Sequence, residues 1–164
     1  MSLVESQLVA LLNQFGSEVN NEMGSIPVTG ESCIDDNVPA SPGVYWIETT
    51  MPVDKMQDAI SEVIGKRKKI RNKAPKGTSI ITQENDSLYV AYSGTEGNMR
   101  ARLKQHLFNI GNVDTVKLGC KINESPFKEY TWHVGFKQID SYVLRYAIEA
   151  WWRLNIGWPV FCIR

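Results

Sequence analysis

Apolar residues recur at helical spacing in four segments of the chain. Residues 3–16 carry a stripe with the spacing i, i+4, i+7, i+8, and Ser2 with Glu5 predicts a capping box at its start. Apolar residues three or four positions apart also recur over residues 52–64, 99–108 and 142–154. We therefore predict four amphipathic helices, the third capped by Asn98 and the last by Asp140 or Ser141.

Short β-branched and aromatic runs lie between these helices. Residues 43–47, 79–82, 88–92 and 130–138 read as strands, with a hairpin-like turn over 84–87 and a strand break at Ser93-Gly94-Thr95. Residues 17–42 are rich in Gly, Pro, Ser, Asn and Asp and predict a long loop. Helices packed on three or four strands indicate an α+β fold.

Composition narrows the class of protein. With 164 residues, 43% of them hydrophobic and 22% charged, the chain fits one globular domain. We expect neither a secretory signal nor a membrane span, because no basic start and no long apolar run is present. Three distant cysteines form no metal-binding pair, so a reducing cytoplasm is the expected compartment.

Charge is unevenly distributed although its sum is zero. Residues 1–54 hold eight acidic side chains and no Lys or Arg, whereas the other 110 residues hold 18 basic and 10 acidic ones, a difference of +8. This asymmetry favours a nucleic-acid partner, and an acidic tail with ordinary solvated lysines is the alternative. The predicted DNA-binding cations are Lys66, Arg67, Lys68, Lys69, Arg71, Lys73, Lys76 and Arg100.

The third predicted helix carries a pair of residues whose side chains could take part in catalysis. Arg102 and His106 are four residues apart, which places both on one helical face, opposite Leu103 and Leu107. An arginine offers planar donors to a phosphate, and a histidine moves a proton near neutral pH. Gly94, just before the helix, would let a phosphate approach the backbone closely.

These residues form an ordered set that resembles the GIY-YIG nuclease superfamily, and most closely its small type II restriction endonucleases. The set is Gly43-Val-Tyr45, Tyr92-Ser-Gly94, Arg102, His106 and Glu149, which lies ten residues before Pro159. The resemblance covers residues 41–164 and implies a small, mainly antiparallel sheet flanked by helices. Residues 1–40 would then be an N-terminal helix and loop arm, and residues 50–85 a basic insertion.

The resemblance implies a role for each matched residue. Tyr45 would activate the attacking water, sharing the base function with His106, and Tyr92 would hold the scissile phosphate. Arg102 would neutralise phosphate charge. Glu149 would bind the divalent metal, Mg²⁺ or Mn²⁺, and Mg²⁺ suits a single carboxylate because it keeps most of its water ligands.

The chain departs from the family pattern at three positions. Val44 and Ser93 stand inside the two tripeptides, where the side chain is expected only to fit the sheet. Cys162 stands where many members have an asparagine, so that function is either missing or supplied elsewhere, with Asn155 as a candidate.

The expected function is therefore a metal-dependent DNA endonuclease that leaves 5′-phosphate and 3′-hydroxyl ends. The expected member is a type II restriction enzyme that acts on double-stranded DNA as a homodimer, since two-fold symmetry suits a palindromic site. A repair or mobile-element nicking enzyme is one alternative. A DNA-binding module that kept the fold without catalysis is a second, and a protein-interaction domain is a third.

Overall fold

The computed structural model describes residues 1–64, 73–81, 87–111 and 118–162, without the side chains of residues 61–64. Within these ranges, five α-helices flank a four-stranded antiparallel sheet, so the predicted α+β fold is confirmed. The helices are α1 Leu3–Glu22, α2 Glu31–Asn37, α3 Val53–Ile64, α4 Met99–Phe108 and α5 Tyr142–Asn155. The strands are β1 Ile26–Pro27, β2 Gly43–Thr49, β3 Tyr89–Glu96 and β4 Trp132–Gln138.

The sheet has the order β1-β4-β2-β3. The central strand, β2, pairs with β4 on one side and with β3 on the other, and its register sets Tyr45 opposite Gly94. Side chains alternate between the two faces of a strand, which puts Tyr45 and Ile47 on one face and Val44 and Trp46 on the other. Both faces of β2 are therefore covered by protein.

Each face of the sheet has its own hydrophobic core. The larger core lies under α2, α3 and α4 and contains Tyr45, Tyr92 and Leu103. The smaller core lies under α1 and α5 and is built around Val19 and Trp152. The active-site candidates from β2, β3 and α4 thus belong to the larger core, whereas α5 reaches them from the opposite face.

The predicted loop over residues 17–42 is wrong. α1 continues to Glu22 because Val19 and Met23 extend its apolar stripe into the smaller core. β1 then adds a strand beside β4, and α2 buries Ile34 in the larger core. The polar residues between these buried positions concealed their helical spacing.

Two details of the predicted β structure also change. Ser93-Gly94-Thr95 does not break the strand, because β3 runs on to Glu96 in register with β2. Ile80 forms an isolated parallel bridge with Trp158 where a strand over 79–82 was predicted. Thr82 and most of the predicted turn lie outside the described residues.

The predicted N-terminal caps of three helices are confirmed. Ser2 and Glu5 form the capping box, Asn98 accepts a hydrogen bond from the amide of Ala101, and Ser141 accepts one from Leu144. No helix in the described part of the chain combines the length and apolar character needed to cross a membrane.

Candidate active site between β3, α4 and α5

A cavity of about 630 Å³ opens beside β3. Four of the five predicted catalytic residues line it, namely Tyr45, Tyr92, Arg102 and Glu149. These residues come from β2, β3, α4 and α5, so the fold brings together side chains that are up to 104 positions apart, from 45 to 149. The fifth residue, His106, lies below the cavity and is completely buried.

His106 holds Tyr45 from below. The Tyr45 hydroxyl lies 3.0 Å from Nε2 of His106, while Nδ1 accepts a hydrogen bond of 2.7 Å from the amide of Leu118. A neutral imidazole has one N–H and one lone pair, so an occupied Nδ1 lone pair assigns the hydrogen to Nε2. His106 therefore donates to the Tyr45 oxygen and, in this form, has no lone pair with which to accept the phenolic proton. This geometry argues against the shared base expected for the two residues.

Burial keeps both phenols neutral. It raises the pKa of Tyr45 well above its usual value and that of Tyr92 to about 12. Neighbouring acidic groups add to both shifts: Tyr92 and Cys162 raise the pKa of Tyr45, and Cys162 and Glu149 raise that of Tyr92. Arg102 opposes the shift, because it hydrogen-bonds both phenols and its charge favours their ionised forms. Arg102 also lies 2.7 Å from Gln105 and 3.8 Å from a carboxylate oxygen of Glu96, which fixes the guanidinium at the edge of the cavity.

Gly94 makes room for the Tyr45 side chain. A Cβ atom at Gly94 would lie 3.0 Å from the Tyr45 hydroxyl oxygen, closer than ordinary van der Waals contact. The sequence suggested that this glycine would let a phosphate approach the backbone. The structure gives it a different neighbour, since Gly94 faces its cross-strand partner Tyr45.

Glu149 is partly neutralised by an arginine that the sequence did not single out. Nη2 of Arg153 lies 3.2 Å from Oε1 of Glu149, one helical turn earlier on α5. Burial raises the pKa of Glu149, and the positive charge of Arg153 partly offsets that shift. The expected metal-binding carboxylate is thus already engaged through one of its oxygens.

Arg153 is more deeply built into the site than its position on the helix suggested. Its side chain is 7% exposed, lines the same cavity and stacks over Trp158 at 4.8 Å from the ring centre. Nη1 donates to the hydroxyl of Ser93 over 2.6 Å. Ser93 was expected only to fit the sheet, whereas its hydroxyl holds this arginine. The available sequence signal was the i, i+4 spacing of Glu149 and Arg153, together with a serine inside a buried strand.

Cys162 ties the end of the described chain to β3. Its thiol accepts a hydrogen bond from the amide of Ser93 at 3.4 Å and donates one to the carbonyl of Ser93 at 3.2 Å. Burial raises the pKa of this thiol. A side chain that both accepts and donates is also what an asparagine would offer here. Asn155, the other candidate, instead bonds the carbonyl of Trp151 in its own helix and does not line the cavity.

The site fits a hydrated divalent cation only through Glu149. Among the described residues, no three His, Cys, Asp or Glu side chains are grouped as a protein-enclosed metal site would require. One Glu149 oxygen accepts from Arg153, and the side chain remains 23% exposed at the cavity. Mg²⁺ keeps several water ligands and is held by one or two carboxylates, so this donor set is sparse but sufficient.

The predicted DNA-binding cations divide into three groups. Lys66, Arg67, Lys68, Lys69 and Arg71 lie outside the described residues. Lys73 and Lys76 are exposed. Arg100 is half-buried and donates to the carbonyl of Val38 over 2.7 Å, so this side chain fastens the end of α2 to α4.

Comparison with known proteins returned no match, whether to a family model, a curated protein or a solved structure.

Proposed function

We propose that this chain is a metal-dependent endonuclease that hydrolyses DNA phosphodiester bonds. The observation that carries the proposal is the meeting of Tyr45, Tyr92, Arg102 and Glu149 in one cavity. Two buried phenols, a guanidinium and a carboxylate are separated in the sequence, so a purely structural origin gives no reason for all four to line the same space.

The groups in the cavity suit the charge changes of phosphodiester hydrolysis. Arg102 stabilises negative charge that develops on the phosphate, and the phenol of Tyr92 donates to a phosphate oxygen. Tyr45, held by the N–H of His106, orients the attacking water. A divalent cation on Glu149 would supply Lewis-acid stabilisation of the leaving oxygen. In the proposed reaction the water oxygen bonds to phosphorus and the bond from phosphorus to the 3′ oxygen breaks. The products are a 5′-phosphate and, once the leaving oxygen has taken a proton, a 3′-hydroxyl.

Within the nuclease class, we propose a type II restriction enzyme acting on double-stranded DNA as a homodimer. The seven cations within residues 66–76 support DNA as the substrate, since lysine and arginine side chains neutralise phosphates. A two-fold dimer places one cavity at each strand of a palindromic site.

Incubation of the purified chain with supercoiled plasmid and Mg²⁺ tests this proposal. We expect wild type to linearise the plasmid and Glu149→Gln to lose at least a hundredfold in rate, because the amide no longer binds the cation. Glu124→Gln is the matched control, since Glu124 is exposed and contacts only Lys121 and the loop around it. An inactive wild type, or a Glu149→Gln variant as fast as the control, contradicts the proposal. Nicked plasmid that is never linearised would select a nicking enzyme.

A DNA-binding module without catalysis is the second candidate. It is favoured by the Glu149–Arg153 ion pair, which already occupies one oxygen of the expected metal ligand. This candidate predicts binding to short duplexes with the steep salt dependence of phosphate contacts and no cutting with Mg²⁺, Mn²⁺ or Co²⁺.

A further inference from the structure

Tyr142 and Tyr146 are the two exposed aromatic side chains of the protein. The five Phe, six Tyr and five Trp residues of the chain all lie within the described ranges, and the other fourteen are buried or half-buried. Tyr142 is 65% exposed and Tyr146 is 49% exposed. Removing an aromatic ring from water is strongly favourable, so two adjacent exposed rings on a protein that covers its other rings mark a contact surface.

The two tyrosines form one surface on the first two turns of α5. Their ring centres lie 4.5 Å apart and the ring planes are inclined by 43°. Arg145 supports Tyr142, with its guanidinium carbon 5.7 Å from the ring centre. This arginine is itself fixed, because it is buried and donates to the carbonyl of Glu96 over 2.7 Å. The rings are therefore held in place before any ligand arrives, which lowers the entropic cost of a contact.

The surface continues the catalytic face of α5. Tyr142, Tyr146, Glu149 and Arg153 follow one another at i, i+4, i+7 and i+11, so they lie along one side of the helix. The last three line the candidate active-site cavity, and Tyr142 lies one turn, about 6 Å, beyond its rim. Val143 is 73% exposed on the same turn but is absent from the cavity wall. The exposed rings thus lead outwards from the cavity.

The position of the rings determines which part of a bound DNA strand meets them. A phosphate held by Arg102 and Tyr92 carries a sugar and a base on each side, so one flanking nucleotide must lie at the rim where Tyr146 stands. In an intact duplex the faces of the bases are covered by neighbouring bases. A tyrosine ring beside the phosphate reaches the face of a base only when that base has left the stack.

We infer that Tyr142 and Tyr146 form a stacking platform for an unpaired base of the DNA strand, next to the phosphate held in the cavity. The inference rests on the proposed function, because it takes the cavity as the phosphate site. It narrows the substrate to DNA in which this base is unpaired or can be turned out of the duplex. DNA with the base already unpaired avoids the cost of unstacking and should bind more tightly than a fully paired duplex.

Two short duplexes that differ only in one base test the inference. Both carry one unpaired nucleotide at the same place, which is an adenine nucleotide in the first duplex and an abasic one in the second. Binding is measured by fluorescence anisotropy, with Ca²⁺ in place of Mg²⁺. Wild type should bind the adenine duplex about tenfold more tightly, as expected for one base stacked on an aromatic side chain. The double variant Tyr142→Ala/Tyr146→Ala should bind both duplexes equally.

Two further variants assign the preference to the rings. Tyr142→Phe/Tyr146→Phe keeps both rings without their hydroxyl groups and should keep the preference. Val143→Ala is the matched control, because it shortens an exposed side chain of the same helical turn outside the cavity wall. Stacking releases no counterions, so the ratio of the two affinities should not change with salt, although both affinities fall. Equal unfolding midpoints in urea establish that the variants are folded.

Three results would overturn the inference. They are equal binding of the two duplexes by wild type, a preference for the adenine duplex that survives in the alanine variant, and a preference that is lost in the phenylalanine variant. The last result would assign the contact to the hydroxyl groups.

Plasmid cleavage by the same proteins separates this inference from the proposed function. A wild type that cuts plasmid but binds both duplexes equally refutes the platform alone. A wild type that cuts no DNA, but loses its base preference in the alanine variant, supports the platform on a non-catalytic DNA-binding module. A chain that binds neither duplex refutes both.

Discussion

The hydroxyl of Tyr45 is held by the N–H of His106 in the floor of the cavity, 3.0 Å away, and the other nitrogen of His106 accepts from the amide of Leu118. The histidine thus links the central strand, α4 and the segment that follows residue 117. Since His106 is completely buried and neutral in this arrangement, it is a positioning residue for Tyr45. Its contribution can be measured through stability as well as through activity.

Replacing His106 by alanine should destabilise the fold more than replacing Tyr45 by phenylalanine. His106→Ala leaves the buried amide of Leu118 without its acceptor, at a cost of about 1–3 kcal/mol. It also removes one of the hydrogen-bond partners of the Tyr45 hydroxyl and opens a cavity. Tyr45→Phe removes one hydroxyl from the same contact. We expect a loss of about 3 kcal/mol or more in the free energy of unfolding for His106→Ala, measured by urea titration. Equal losses in the two variants would show that the Leu118 hydrogen bond contributes nothing.

The buried phenols should make the fold sensitive to alkaline pH. Burial raises the pKa of Tyr92 to about 12, whereas a tyrosine in the unfolded chain has a pKa of about 10. The stabilisation from a buried neutral phenol is complete below pH 10 and is lost as the pH rises towards 12, by up to roughly 1.4 kcal/mol per pH unit. We expect Tyr92→Phe to lose stability less steeply than wild type between pH 9 and 11. Parallel curves of unfolding free energy against pH would contradict the raised pKa.

Thiol reactivity should separate the three cysteines. Cys33 is half-buried, and hydrogen bonds from Thr29 lower the pKa of its thiol. Cys120 and Cys162 are buried, and burial raises the pKa of Cys162. Because the thiolate is the reactive form, a chromogenic disulfide reagent should label one thiol quickly in the native protein and all three in denaturant. Cys33→Ser should remove the fast phase, and a fast phase that survives this change would contradict the assignment.

Local signals made much of the fold predictable. Ser2, Asn98 and Ser141 act through hydrogen bonds to residues three positions away, so their caps depend on nothing distant. The prediction of a loop over residues 17–42 was wrong because burial in the two cores orders Val19 and Ile34. The local sequence, rich in Gly and Asp, gives no sign of that burial. The predicted strand ended too early because glycine is typical of strand breaks. In the structure Gly94 continues the strand, and its lack of a side chain leaves room for Tyr45 on the neighbouring strand.

The site residues that belong to a sequence motif could be predicted. The residue that enters the site through tertiary packing, Arg153, could not. Tyr45, Tyr92, Arg102 and Glu149 came from an ordered pattern, and the structure places all four in one cavity. Arg153 escaped notice because an arginine in the last turn of a helix normally interacts with the C-terminal carbonyls and solvent. Its burial depends on the hydroxyl of Ser93, 60 residues away, which no local pattern indicates.

Gly43 should be intolerant of a side chain for reasons unrelated to backbone freedom. A Cβ atom there would overlap the sulfur of Met99 and the carbonyl oxygen of Lys137, and the carbonyl belongs to the neighbouring strand. We expect Gly43→Ala to lose about 1–3 kcal/mol, as overpacked cores do. Gly97→Ala is the control, because nothing lies within 4 Å of its Cβ position. Equal melting temperatures for the two variants would contradict the tight packing of β2 against α4.

Arg153 should control the affinity of Glu149 for a divalent cation. The guanidinium lies 3.2 Å from Oε1, so its positive charge competes with a cation for the same carboxylate. Replacement of Arg153 by glutamine keeps a hydrogen-bond donor for Ser93 and removes the positive charge. At an effective dielectric constant near 20, the loss of repulsion between this charge and the cation corresponds to roughly tenfold tighter cation binding or more. Mn²⁺ binding to the DNA-free protein, measured by electron paramagnetic resonance, should therefore be stronger in Arg153→Gln than in wild type.

The double variant Arg153→Gln/Glu149→Gln identifies the ligand. If Glu149 binds the cation, adding the second change should abolish the gain in Mn²⁺ affinity, and a gain that persists would place the cation elsewhere. Arg153→Gln should also cleave DNA more slowly at saturating Mg²⁺, because Arg153 holds Glu149 and Ser93 in position at the cavity wall. Tighter metal binding together with slower cleavage would show that Arg153 also positions Glu149 and Ser93. If Arg153 only competed with the cation for Glu149, the cleavage rate at saturating Mg²⁺ would not change.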